Sequence, residues 1–180
     1  MNSKKRLKMS KVTRTALFAA LICVTSFIQI PVGAIPVTFQ LFGIYLSLFT
    51  LGGVGGTVAV ALYLAIGAVG LPVFSGYSGG IGKFFEATGG FLFGFLVLAL
   101  VYTALSALLP KGKRLSRILP TAVSLAALYA TGIIFYLALY LDFSLASVLS
   151  LGVSLIFQFV SDLVKIFLAY LVYERIKIKL

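Results

Sequence analysis

The sequence contains no histidine, one cysteine and four acidic residues in 180 positions. Without histidine it lacks the commonest metal ligand, the commonest general base and the usual Ser-His-Asp triad. One thiol makes neither an internal disulfide nor a thiolate metal cluster, and Cys23, inside the first apolar run, reads as a small packing residue. Four carboxylates without a histidine offer no credible set of acid, base and nucleophile. No enzymatic activity, cofactor or metal is therefore expected.

Charge of either sign is scarce. Charged residues make up 11% of the chain, apolar residues 61%, and the mean hydropathy is +1.15, far from a soluble domain. In a bilayer every backbone polar group must be satisfied internally, and long apolar runs do this as helices, not as the alternating strands of a barrel. The expected fold class is all-α: one polytopic transmembrane domain over 1–180, with room for six spans of about 20 residues.

The net charge of +11 comes from clusters at helix ends. Lys4, Lys5, Arg6, Lys8, Lys11 and Arg14 precede the first run, Lys111, Lys113, Arg114 and Arg117 lie mid-chain, and Arg175, Lys177 and Lys179 end it. Such clusters mark the cytoplasmic side and attract anionic lipid headgroups; they exclude a nucleic-acid partner and point to membrane lipids. A basic start before an apolar run also resembles a secretory signal, with Val32-Gly33-Ala34 faintly like a cleavage site. The run is long for a signal core and is taken as the first helix.

The 68 residues between Arg14 and Lys83 carry no charge. Pro31 and Pro36 interrupt them first. The next run, Val37 to Gly70, is too long for one span, and Gly52-Gly53-Val54-Gly55-Gly56 is its natural break. Helices are expected near 12–30, 38–51, 54–70, 88–109, 119–140 and 147–173. Residues 71–87, rich in glycine and aromatics, read as a loop, and Asp142 marks a short turn. Six spans return both termini to the cytoplasm and leave Lys83 as the basic residue of the external loops; five or seven spoil that asymmetry. Gly52xxxGly56, Gly90xxxGly94 and Ala16xxxAla20 set small residues on one helix face, where ordinary intrachain packing is the plain reading.

Chemistry concentrates on Asp162 and Lys165, inside the apolar stretch of the last helix. Each costs about 2.5–3.5 kcal/mol at the bilayer centre on the insertion scale. At i, i+3 they can form a structural pair or present a carboxylate and an ammonium to a ligand, and Gln158, one turn earlier, extends this polar face. The segment Gly76-Tyr77-Ser78-Gly79-Gly80-Ile81-Gly82-Lys83 has a glycine-rich look but fails both nucleotide patterns. Tyr77 takes the first glycine of a phosphate loop, Phe84 follows Lys83 where Ser or Thr is needed, and Phe85 breaks the dinucleotide pattern. It reads as a loop, aromatic at Phe74 and Tyr77, able to close over a small molecule or merely solvated. Thr88-Gly89-Gly90 opens helix 4 either as a cap or as a receptor for a polar ligand group. Thr38 and Gln40 add polarity near the external face with the same two readings.

Val37-Thr38-Phe39-Gln40, Gly67-Ala68-Val69-Gly70-Leu71-Pro72-Val73-Phe74, Gly79-Gly80-Ile81-Gly82, Thr88-Gly89-Gly90-Phe91 and Asp162-Leu163-Val164-Lys165, in this order and spacing, resemble the BioY family. Its members are biotin-specific S components of energy-coupling-factor transporters. The resemblance implies a six-helix fold in the bacterial cell membrane that captures biotin from outside and is toppled by a transmembrane coupling subunit driven by two ATPases. It implies that Asp162 accepts the ureido N–H groups, that Lys165 serves the carboxylate or the ureido oxygen, and that Ala16 and Ala20 meet the coupling subunit. Lys83 stands as a second cation, and Phe74, Tyr77 and Phe91 as apolar walls. The chain departs from the family pattern in lacking a proline before Thr88 and in having Ser161 before Asp162. The alternatives are an S component for another vitamin, such as thiamine or riboflavin, and an autonomous proton-coupled carrier that uses Asp162.

Overall fold

The structure, a computed structural model, describes residues 3–31, 35–110, 115–139 and 145–177, with backbone alone for 3–9, 115 and 145–147. The candidate cleavage site Val32-Gly33-Ala34, the basic residues Lys111, Lys113, Arg114 and Lys179, and the turn at Asp142 lie outside the described residues.

Among the described residues five helices follow one another: α1 (Ser3–Ser26), α2 (Gln40–Ala68), α3 (Gly89–Leu108), α4 (Leu115–Leu139) and α5 (Leu145–Lys177). A two-residue antiparallel pair, β1 (Gln29–Ile30) with β2 (Val37–Thr38), closes the link between α1 and α2, and a 3-10 turn spans Ile81–Phe85. Among the described residues four stretches are, by length and composition, long and apolar enough to cross a membrane: 89–108, 116–139, 148–177 and 40–68, the last broken at Gly52. Their outward sides carry Ile134, Phe157 and Phe167, all more than half exposed, as suits a surface solvated by lipid.

The 29 residues of α2 do not run straight. Gly52 adopts φ 76° and ψ 167°, outside helical space and in a region that glycine alone enters easily. In a straight helix Gln40 and Tyr63 would stand about 35 Å apart, at 1.5 Å per residue. Here Gln40 Nε2 donates to the Tyr63 hydroxyl, and a Cβ on Gly56 would come within 2.6 Å of the Leu48 backbone. The arms before and after Gly52 therefore fold back on each other, with the reversal inside the expected glycine break. Gly56 of the Gly52xxxGly56 pattern packs within this hairpin.

Two expected boundaries need correction. The first helix starts at Ser3, because Lys and Arg are good helix formers, and stops at Ser26, because Gln29 and Ile30 are drawn into the strand pair. The last helix extends to Lys177. Elsewhere the ends fall within a few residues of expectation.

Packing follows the small residues. On α1, Ala19, Ile22, Thr25 and Ser26 are buried, and a Cβ on Gly43 of α2 would meet Thr25 Oγ1 at 2.7 Å. On α3, a Cβ on Gly94 would lie 2.7 Å from Leu128, and one on Gly90 would strike the Phe135 ring; Gly132 of α4 makes room for Phe91 in return. The Gly90xxxGly94 face is thus the seam between α3 and α4, as the packing reading requires. Ala16 and Ala20, by contrast, both face outward on α1. Intrachain packing is not their use among the described residues.

Candidate functional site

At the end of the bundle that holds the strand pair and the 71–87 loop, a cavity of about 150 Å³ opens. Seven of the residues singled out in the sequence line it: Thr38, Gln40, Phe74, Lys83, Thr88, Phe91 and Gln158.

Gln40 is oriented from both sides. The Thr38 hydroxyl donates to its Oε1 at 2.8 Å, and its Nε2 donates to Tyr63 on the returning arm of α2, so the α2 reversal is what aims this amide. The loop is tethered at several points. The Gly80 amide donates to the Gly67 carbonyl at 2.7 Å, the Ser26 hydroxyl donates to the Val73 carbonyl, and Phe74 bridges to Ser78. Phe74 is 2% exposed, edge-on to Tyr63 at 5.5 Å and to Phe84 at 5.7 Å, and its ring occupies the space that a Cβ on Gly67 would need. Tyr77 takes no part in the lining; it sits at φ 55° and stacks on Phe27, ring centroids 4.7 Å apart.

Lys83 projects from the 3-10 turn and donates to Glu86 Oε2 at 2.7 Å. Both are partly exposed, and exposed pairs are worth about 0–1 kcal/mol, so the ammonium exchanges Glu86 for another anion at little cost. Thr88 precedes α3 but makes no side-chain cap, which sets aside the plain capping reading; its residue lines the cavity instead. Gly89 and Gly90 serve close packing, since a Cβ on Gly89 would strike the Phe84 carbonyl.

The charged pair lies one helical turn beyond Gln158 on α5. Asp162 is 1% exposed and Lys165 3%, and Lys165 Nζ donates to Asp162 Oδ1 at 2.7 Å. The other oxygen, Oδ2, accepts from the Tyr129 hydroxyl of α4 at 2.8 Å. Each carboxylate oxygen retains a second lone pair, so the group can still accept from a ligand. Neither charged residue lines the cavity as it stands. Gln158 does, and its Oε1 is buried without a hydrogen-bond partner. A buried carbonyl left unsatisfied costs about 1–3 kcal/mol, which a ligand N–H at this position would recover.

Sequence reasoning missed Tyr129, Gln29, Ser75 and Ser78. Tyr129 carried a usable signal: a phenol in an otherwise apolar span needs a hydrogen-bond partner, and Asp162 was the available one. Among the described residues no cluster of ligating side chains could hold a metal ion.

The BioY family model matches residues 1–180. The biotin transporter BioY of Thermotoga maritima is 37% identical over 170 residues, covering 94% of this chain and 96% of that protein. The probable biotin transporter BioY of Pyrococcus horikoshii is 33% identical over 171 residues, covering 95% and 98%. Among solved structures, the S-component for biotin from an ECF-type ABC transporter superposes with a TM-score of 0.79 at 24% identity, over 98% of this chain and 94% of that one. The S component of a bacterial ECF transporter gives 0.63 at 14% identity, over 94% and 96%. The family model and the two relatives span nearly the whole sequence, the solved structures share its fold, and the chain, a multi-pass membrane protein, belongs to the BioY family.

Proposed function

We propose that this protein captures biotin from outside the cell as the S component of an energy-coupling-factor transporter, and is a transport subunit, not an enzyme. The observation that carries the reading is the buried polar column on α5: the unpartnered Gln158 carbonyl, then Asp162 with Lys165, one turn below a lined cavity. Biotin brings two ureido N–H donors, a carbonyl, an anionic tail and an apolar bicyclic body. Gln158 Oε1 and the Asp162 carboxylate accept the two donors, Lys165 serves the ureido oxygen or the carboxylate, and Phe74 and Phe91 wall the bicycle. Lys83, released from Glu86, and Thr88 receive the tail carboxylate. The cavity, about 150 Å³, is below the ~300–1,000 Å³ usual for small-molecule sites, so binding requires the 71–87 loop to move aside. Tyr77 moves with that loop and leaves its stack on Phe27, while the Gly89-Gly90 start of α3 stays packed against Phe84 and Phe135.

The α2 reversal supports six crossings: its arms pass the membrane as a pair, and α1, α3, α4 and α5 supply the rest. With six, the whole chain is one transmembrane domain of the bacterial cell membrane, and both termini lie in the cytoplasm with the basic clusters. The outward Ala16 and Ala20 form the surface for a transmembrane coupling subunit, which two ATPase subunits drive.

The test is calorimetry of biotin with the detergent-purified protein, with thiamine and riboflavin as controls. Tight biotin binding is expected, lost in Asp162→Ala and Lys165→Ala. Folded protein that binds a control vitamin instead, or none of the three, refutes the reading.

A further inference from the structure

On the far side of the Tyr129–Asp162 bridge that borders the biotin site, a second and larger space lies between α4 and α5, a groove of about 850 Å³. Leu125, Ala126 and Tyr129 of α4 form one wall, and Leu163, Phe167 and Tyr170 of α5 the other. Ala126, Leu163 and Phe167 are exposed, so the groove opens sideways, toward lipid. One end is shut: the Tyr129 and Phe159 rings meet at 5.9 Å, and the Tyr129 hydroxyl crosses to Asp162.

The other end is cationic. Arg117 lines it, lying 5.0 Å over the Tyr173 ring and donating from one guanidinium nitrogen to Glu174 at 2.9 Å. A guanidinium has five donors, so this fixes the group without exhausting it. The α5 wall continues at helical spacing from Leu163 through Phe167 and Tyr170 to Glu174 and the exposed Lys177. Two cations and one carboxylate leave this end net positive, at the level where α4 begins and α5 ends. Between the two ends the walls are apolar, and the Thr121 hydroxyl there is turned onto the Arg117 carbonyl at 2.7 Å.

We propose that the groove is a binding site for one anionic phospholipid, with an acyl chain along the apolar walls and the phosphate at the Arg117 and Lys177 end. A cationic mouth at headgroup level above an apolar trough matches a charged amphiphile, and basic pockets between membrane helices favour anionic headgroups. The volume lies within the ~300–1,000 Å³ of small-ligand sites. A second copy is the poorer occupant: a two-fold axis along the membrane normal would bring Arg117 and Lys177 of both chains to the same end, like charge against like.

Native mass spectrometry of the full chain in neutral detergent tests this, with dioleoyl phosphatidylglycerol and dioleoyl phosphatidylcholine as probes. One phosphatidylglycerol should be retained per protein, about tenfold more readily than phosphatidylcholine. Lys177→Gln should reduce the preference and Arg117→Gln with Lys177→Gln should remove it, while Ala126→Trp, which fills the open trough, should end retention of both lipids. Circular dichroism confirms that each variant is folded. Equal retention of the two lipids by the unaltered protein, a preference unchanged in the double variant, undiminished retention in Ala126→Trp, or a homodimer that excludes lipid would each overturn the proposal.

Discussion

Helix α4 meets α3 and α5 in opposite ways. Against α3 it lies close, because Gly90, Gly94 and Gly132 let backbone approach ring and side chain. Against α5 it stands off, with bulky Leu163, Phe167 and Tyr170 facing a gap. Two polar clasps span that gap, Tyr129 to Asp162 at one end and Arg117 to Glu174 at the other. Lipid tails are as apolar as leucine, so apolar side chains alone give helices no reason to associate in a membrane. Close contact needs small residues that are matched across the seam; Ala126 of α4 faces only bulky side chains of α5, and there polar bridges hold the helices and leave a space.

Removing the inner clasp should have the largest effect. Asp162→Ala strands Lys165 as a buried, uncompensated cation and deprives Tyr129 of its acceptor, a loss of about 3–5 kcal/mol. The thermal unfolding midpoint in detergent should fall steeply, and an unchanged midpoint would mean that the pair contributes nothing to holding α5. Next comes the glycine seam. Gly94→Leu drives a side chain into Leu128 and should cost about 1–3 kcal/mol through overpacking. Gly152→Leu on α5, where a Cβ meets nothing within 4 Å, is the matched control and should leave the midpoint in place. If both variants behave alike, the α3–α4 seam is not held by close packing at Gly94.

Tyr129→Phe keeps the ring and deletes the bridge, for about 1 kcal/mol, in the range of interhelical hydrogen bonds in membranes. That loss should be absent when Tyr129→Phe is made in an Asp162→Ala background, if the carboxylate is the true partner. The smallest effect belongs to the outer clasp. Glu174→Gln, at a partly exposed pair, should change stability by no more than about 0.5 kcal/mol. A larger drop would show that the outer end of the groove, not the inner, locks α5.

Much of this organisation was legible because lipid imposes simple rules. Long uncharged runs, prolines 31 and 36 and the glycine cluster marked most helices, since each acts through the local backbone alone. The helical period also put Asp162, Lys165 and Gln158 on one face. Partnership across the bundle was harder to read. That Gln40 is held by Tyr63, and that Tyr129 completes Asp162, depends on which helices lie side by side, which neither period nor composition states. The same holds for the gap beside α4: apolar residues that pack and apolar residues that line a trough look alike along the chain. Along the chain Tyr77 reads as an aromatic in a loop next to a ligand site, yet its left-handed backbone turns it onto Phe27.

The reversal at Gly52 depends on handedness and not on room. A Cβ there would meet nothing within 4 Å, yet φ 76° with ψ 167° is closed to L side chains. The mirror image of that conformation is ordinary extended backbone, open to every L residue. A chain assembled by ligation with D-alanine at position 52 should therefore keep the hairpin, and with it the Gln40 to Tyr63 bond, whereas L-alanine, of identical size and polarity, should not. The turn that brings two helices together is thus specified by chirality alone.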